Sequence, residues 1–158
     1  MAWSLKTEGL MEVSEMLAQL GEKAEDVASA ALFEGAGVVA DAMKAAPGRI
    51  RTEPFQGKRP SRLPSPEEKA ALSGKTGIAK FRKNGSEVET VVGIAKDAGY
   101  VQLGKQKRAV REIARSINSG TSFMAKQPVY RQAVSSSKNA AASAIVAKAE
   151  AKLQEIIK

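Results

Sequence analysis

The chain of 158 residues is long enough for one domain with one core, and it contains neither cysteine nor histidine. That inventory excludes disulfides, thiol nucleophiles, the usual zinc sites and every Ser-His or Cys-His catalytic pair. The net charge of +8 points to an acidic partner surface or nucleic acid, while no apolar run long enough to span a membrane and no signal-peptide pattern is visible.

The charge is unevenly placed. Residues 1–47 carry three Lys/Arg against eight Asp/Glu, residues 48–83 ten against three, and residues 84–104 one against three. Residues 105–138 carry eight against one and the last twenty three against two. An acidic beginning followed by two basic segments suits association with nucleic acid, with an acidic protein, or with the acidic end of another copy.

Taken in chain order, Gly9–Leu20 places Leu10, Val13, Leu17 and Leu20 at helical spacing, which predicts a short amphipathic helix broken by Gly21. Residues 22–46 form the clearest helix. Its stripe is Ala24, Val27, Ala28, Ala31, Leu32, Gly35, Val38, Val39, Ala42, Met43 and Ala46, with charged residues off it. Gly35 and Gly37 each cost a helix interior roughly 1 kcal/mol relative to Ala. They fit either close packing of this helix or a tolerated weakness.

Pro47-Gly48 stops the helix, and a Pro-rich basic loop follows over 47–65. A loop of this length is either a solvated mobile segment or an arm that orders against a partner. Ser65-Pro66-Glu67-Glu68 predicts a new helix start, with Ser65 as N-cap, Pro66 at the first position and Glu68 closing a capping box.

Residues 76–103 alone have a period of two. Val88, Thr90, Val92 and Ile94 fall on one face of a strand, opposite Glu87, Glu89, Val91, Gly93 and Ala95. Thr76–Lys83 reads as a weaker strand, joined to the first by an Asn84-Gly85 reversal, and Tyr100–Leu103 adds a third after the Asp97-Ala98-Gly99 turn. Gln106–Ile117 then reads as a basic amphipathic helix, with Val110, Ile113, Ala114 and Ile117 inside and Lys107, Arg108, Arg111 and Arg115 outside. Asn118-Ser119-Gly120 ends it, and Pro128 opens a final helix reaching about Ile157, roughly 45 Å long at 1.5 Å per residue. Such a helix exceeds what a small sheet needs, so part of it projects or meets another subunit. The predicted fold is therefore α+β in a single domain, 1–158. A small antiparallel sheet of about three strands (76–103) is packed by long helices at 22–46 and 128–157, with a basic helical insertion at 105–118.

Signals for catalysis are weak. Ser73-Gly74-Lys75-Thr76 ends like a phosphate-binding loop, but the glycine that the pattern requires five residues earlier is Lys69, and no strand precedes it. The pairs Glu67/Glu68 and Glu87/Glu89 look exposed, whereas catalytic carboxylates are buried and shifted. No enzyme and no cofactor or metal is expected. The basic segments could neutralise phosphates without reading sequence, yet aromatics make up 4% of the chain and none interleaves with the arginines as a stacking platform would. The solvated face of a surface helix accounts for Lys107, Arg108, Arg111 and Arg115 more simply than a DNA-reading face does.

Gly9-Leu10 before a helix, an Ala-rich helix ending Ala45-Ala46-Pro47, and Lys75-Thr76-Gly77 entering a strand form an ordered series of short motifs. Val91-Val92-Gly93-Ile94, Tyr100-Val101-Gln102-Leu103-Gly104, Ser119-Gly120-Thr121-Ser122 and the Pro128-led helix entry continue it. The series resembles the HK97-gp10-like family of phage tail-completion or neck proteins and covers most of the chain. Departures are Gln102 and Leu103 at positions that are acidic and aromatic in the family, a longer Pro47–Thr76 segment, and the interposed Lys105–Asn118. The two insertions are the two basic segments.

The resemblance implies a structural virion component without catalysis. It would act in tail completion or head–tail joining, as a ring of copies assembled in the bacterial cytoplasm. Expected partners are other copies, connector and tail-tube proteins, with DNA as a further candidate and no membrane. Arg49, Arg51, Lys58, Arg59, Arg62, Lys107, Arg108, Arg111 and Arg115 are the expected interface residues. Gly9, Leu10, Pro47, Thr76, Gly77, Tyr100, Gly120, Thr121 and Pro128 are the family-like structural positions. The alternative is a basic DNA-binding protein that does not read sequence.

Overall fold

The computed structural model describes residues 2–4, 21, 23–57, 59–85 and 87–157. The expected helix Gly9–Leu20, including Gly9 and Leu10, and the interface candidate Lys58 lie outside the described residues. In chain order the elements are β1 (Ala2–Ser4), α1 (Lys23–Ala45), a 3-10 turn (Ala46–Arg49), α2 (Pro66–Leu72), β2 (Thr76–Ile78), β3 (Arg82–Asn84), β4 (Glu87–Glu89) and β5 (Val91–Ile94). Then come β6 (Tyr100–Leu103), β7 (Gln106–Ala109), α3 (Val110–Ser119) and α4 (Val129–Ile157). The class is α+β, with a long helix near each end of the sequence.

The strands are distributed over three small sheets. One has the order β1–β5–β2, and β3–β4 and β6–β7 are antiparallel pairs. A hairpin forms where the sequence predicts one, but the reversal comes later than expected: Asn84 is still in β3, opposite Glu87, and of the pair Asn84-Gly85 only Gly85 has a positive φ, 65°. The weak strand is interrupted at residues 79–81, and there Thr90 Oγ1 donates to the Ala79 carbonyl at 2.8 Å. Thr90, Val92 and Ile94 are buried as the period of two requires, and Glu87 and Glu89 are exposed.

Residues 106–109 differ from the expectation of a helix. They form β7, pairing Leu103 with Gln106 and Tyr100 with Ala109. Lys and Arg are good helix formers, so propensity alone favours a helix here. Gly104, at a φ of 58°, instead permits a two-residue reversal, and pairing with β6 satisfies the backbone. The basic helix begins only at Val110, whose N–H donates to the Gly99 carbonyl at 3.0 Å.

The described structure divides into two compact units. The first comprises residues 41–77 and 93–136, and the second residues 2–40, 78–92 and 137–158. In the first unit Met43, Ile50, Leu72, Leu103, Val110, Ile113, Ile117, Met124 and Tyr130 are buried. The second is built on Val27, Ala31, Leu32, Ile145 and Ala149, with Val88 and Leu153 packed against them. Gly35 belongs to this contact between α1 and α4. A Cβ there would fall 2.6 Å from Ile145 Cδ1 and 3.1 Å from the Ala141 carbonyl, so close packing explains it. Gly37 has nothing within 4 Å and no such reason.

Candidate functional site

All the described interface candidates belong to the first unit. Its residues 41–77 and 93–136 hold sixteen Lys/Arg and six Asp/Glu, a net +10, leaving −2 for the remainder of the chain. The charge asymmetry read along the sequence thus becomes an asymmetry between compact units.

The Pro-rich arm is fastened to its own unit. Arg51 N–H donates to Gln127 Oε1 at 2.9 Å, and Gln127 Nε2 donates back to the Arg51 carbonyl at 3.0 Å. A parallel bridge joins Arg62 to Met124, with Arg62 N–H donating to the Phe123 carbonyl and Ala125 N–H to the Arg62 carbonyl. Glu53 receives the Leu63 N–H at 2.7 Å and pairs with Arg59. The arm is therefore held by residues of the same chain on both sides of its tip.

This geometry corrects one interface candidate outright. Arg62 is 5% exposed and cannot meet a partner. Its Nη1 and Nη2 donate to Glu68 Oε2 and Oε1 at 2.7 and 2.8 Å, a two-pronged guanidinium–carboxylate pair. Phe55 lies under its guanidinium with the ring centroid 5.2 Å away. Arg108, expected on a solvated helix face, is instead on β7 and half-buried, donating to Glu68 Oε1 at 3.1 Å and to Ser116 Oγ at 3.1 Å.

Glu68 is the hub of this network, and the expectation that it is exposed is wrong. It is fully buried and also receives the Ser65 N–H at 2.8 Å, while Ser65 Oγ receives the Glu68 N–H at 3.2 Å. The capping box is thus built as the sequence predicts, and its acid does double duty as the counter-ion of two arginines. Burial pushes the Glu68 carboxyl up, but the Arg62 hydrogen bonds, the Ser65 N–H and the charges of Arg62 and Arg108 outweigh it and hold it below the usual range. Correspondingly, the hydrogen bonds to Glu68 hold Arg62 above its ordinary value against the opposing effect of burial. The local signal was the capping box; nothing in the sequence ties Glu68 to a residue forty positions away.

Arg49, Arg51, Arg59, Lys107, Arg111 and Arg115 are exposed. Arg59 is engaged by Glu53, whereas Arg49, Arg51, Lys107, Arg111 and Arg115 have no ion pair among the described residues. Lys107 Nζ sits 4.7 Å from the centroid of Tyr100, which is 67% exposed. An exposed aromatic therefore does accompany the basic residues, which the linear sequence concealed. Beside the hairpin, α3 and the turn after it border an open depression of about 500 Å³, lined by Arg108, Glu112, Arg115, Ser116, Ser119, Gly120 and Thr121.

The family-like positions have structural roles. Pro47 is buried in the 3-10 turn, and Thr76 and Gly77 form β2. Gly120 ends α3 at a φ of 76°, with its N–H on the Ser116 carbonyl at 2.8 Å. Thr121 Oγ1 receives the N–H groups of Phe123 and Met124, and the Pro128 carbonyl receives the Gln132 N–H at the start of α4. In the second unit, Phe33 (55% exposed) and Phe81 (37%) make a tilted ring contact, with centroids 6.3 Å apart and planes at 57°. Among the described residues, no cluster of three or more acidic residues could hold a metal ion, and no helix is long and apolar enough to cross a membrane. No protein-family model, curated protein or solved structure matches the chain.

Proposed function

We propose that the protein is a structural virion component of a tailed bacteriophage or prophage, acting in tail completion or head–tail joining as part of a homo-oligomeric ring. The ordered series of motifs from Pro47 to Pro128 motivates the reading. The observation that carries it is the separation of charge, with a net +10 on one compact unit against −2 on the remainder. A closed ring needs heterologous contacts, one face of a subunit against a different face of the next. A strongly basic unit and one whose described residues carry as many acids as bases provide two different surfaces, and each has exposed aromatic residues, Tyr100 and Phe123 on the first, Phe33 and Phe81 on the second. Arg49, Arg51, Lys107, Arg111 and Arg115 remain interface candidates, whereas Arg62 and Arg108 hold the subunit together. Among the described residues Glu68 is the buried acid, and its charge is balanced by Arg62 and Arg108, which makes it a structural counter-ion in this reading.

Quantitative mass spectrometry of purified phage particles tests the proposal. A few to about a dozen copies per particle are expected, as a closed ring requires. Absence from intact, infectious particles overturns it.

A further inference from the structure

Three of the six acids of the first unit are engaged in ion pairs. Asp41 pairs with Lys44, Glu53 with Arg59, and Glu68 with both Arg62 and Arg108. The buried trio of two arginines and one glutamate keeps a surplus positive charge, and its less buried member, Arg108, opens onto the depression beside α3. Arg108 is fixed there by Glu68 behind it and Ser116 beside it, so only part of its guanidinium is used and the rest can meet a ligand without losing side-chain freedom. Arg115 adds a second, unpaired guanidinium.

The hydroxyl oxygens of Ser116 and Thr121 at the depression are already engaged as acceptors. Ser116 Oγ accepts from Arg108, and Thr121 Oγ1 accepts from two backbone N–H groups, so each hydroxyl still has its proton to offer a ligand. Ser119 adds another hydroxyl, and Glu112 is the single carboxylate in the lining. A site rich in donors, with two guanidiniums, matches a ligand that only accepts hydrogen bonds and is negatively charged. A phosphate group meets both conditions. The depression is open rather than enclosing, and Arg111 lies one helical turn from the lining residue Arg115 on α3, so a polymer that presents successive phosphates suits it better than a small anion.

We infer that this depression is a contact site for a phosphodiester of the DNA backbone, with Arg108 and Arg115 as its charged donors and Ser116, Ser119 and Thr121 as neutral ones. Such a contact positions the duplex without reading its sequence. The inference does not rest on the virion reading, since presence in particles and binding to a duplex are read in separate experiments.

The test is fluorescence anisotropy of a labelled random-sequence duplex with the full chain between about 50 and 200 mM salt. Binding that weakens steeply and linearly in log salt is expected. Arg115→Gln should weaken it about tenfold at the lowest salt and reduce the salt slope by about one. Ser119→Ala, which changes no charge, should weaken it about threefold, as a lost neutral hydrogen bond implies. Arg49→Gln makes the same charge change away from the depression and should cost less than about threefold, as a general field effect does. Equal losses for Arg115→Gln and Arg49→Gln, with Ser119→Ala unchanged, would mean a diffuse basic surface and overturn the site. No duplex binding at the lowest salt also overturns it, and inorganic phosphate alone, titrated calorimetrically, then shows whether the depression is a free-phosphate site instead.

Discussion

Replacing Glu68 by glutamine removes one charge and little volume, so it isolates what the buried carboxylate contributes. In the native protein this side chain is fully buried and accepts from Arg62 Nη1 and Nη2, from Arg108 Nη1 and from the Ser65 N–H. Glutamine offers one acceptor oxygen, and its amide donors face a guanidinium that also only donates. Arg62, 5% exposed, would lose its hydrogen-bonded counter-ion and keep only the more distant charge of Glu53. Removing one partner of a buried ion pair costs about 3–5 kcal/mol, much of it the unpaired charge that remains. For a chain of this size each kcal/mol lowers Tm by about 2–4 °C, so Glu68→Gln should lower it by about 10 °C at pH 7.

The sign with pH follows from the same carboxyl. Its folded pKa lies below that of the unfolded chain, so the unfolded state binds the proton more readily. The stability it contributes is complete above the ordinary glutamate pKa of about 4.3 and is lost as pH falls through the depressed folded value. Thermal unfolding followed by circular dichroism from pH 7 to 3 reads both effects. Wild type should lose more stability on acidification than Glu68→Gln, and the double substitution Arg62→Met, Glu68→Leu should be less damaged than Glu68→Gln because it strands no fully buried charge. A Tm within about 2 °C of wild type, or parallel acid profiles for the two proteins, would refute the assignment of Glu68 as an ionised hub.

Three further outcomes are expected. Gly35→Ala should destabilise by about 1–2 kcal/mol in urea titrations, because the new methyl meets Ile145 and the Ala141 carbonyl, whereas Gly37→Ala should stabilise by about 0.5–1 kcal/mol through helix propensity alone. Tyr130→Phe should be neutral or stabilising by up to about 1 kcal/mol, since the Tyr130 hydroxyl is buried without a hydrogen-bond partner among the described residues; differential scanning calorimetry decides it. Ser65→Ala should cost about 1–2 kcal/mol by loss of the capping box, seen as a lower urea midpoint with an unchanged m-value.

What the sequence made legible was local. The helix at 22–46 follows from a repeating apolar stripe, the start of α2 from Ser65, Pro66 and Glu68, and the strand face from alternation at Val88, Thr90, Val92 and Ile94. Even so, the stripe of α1 drifts, burying Ala36 and Ala40 while Val38 and Ala42 are only half-buried, because alanine carries little directional signal. Gln106–Ala109 was hidden because its residues favour helix and it leads directly into α3; only the reversal at Gly104 distinguishes it. The ionic hub was hidden for a different reason. Arg62, Glu68 and Arg108 become neighbours through the packing of the arm, α2 and the β6–β7 hairpin, and the charged residue types themselves argue for exposure, not burial.

The clasp between Gln127 and Arg51 has a consequence for the order in which the chain folds. Those residues are 76 positions apart, while the Arg62–Glu68 and Ser65–Glu68 contacts close over six and three. Short loops close at little entropic expense, and a contact that spans half the chain forms against a larger loss. During synthesis Arg51 also emerges well before Gln127 exists. The arm's internal turns therefore mature first and its anchorage last, and in refolding from denaturant the Arg51 amide should gain protection from exchange later than the amides at the start of α2.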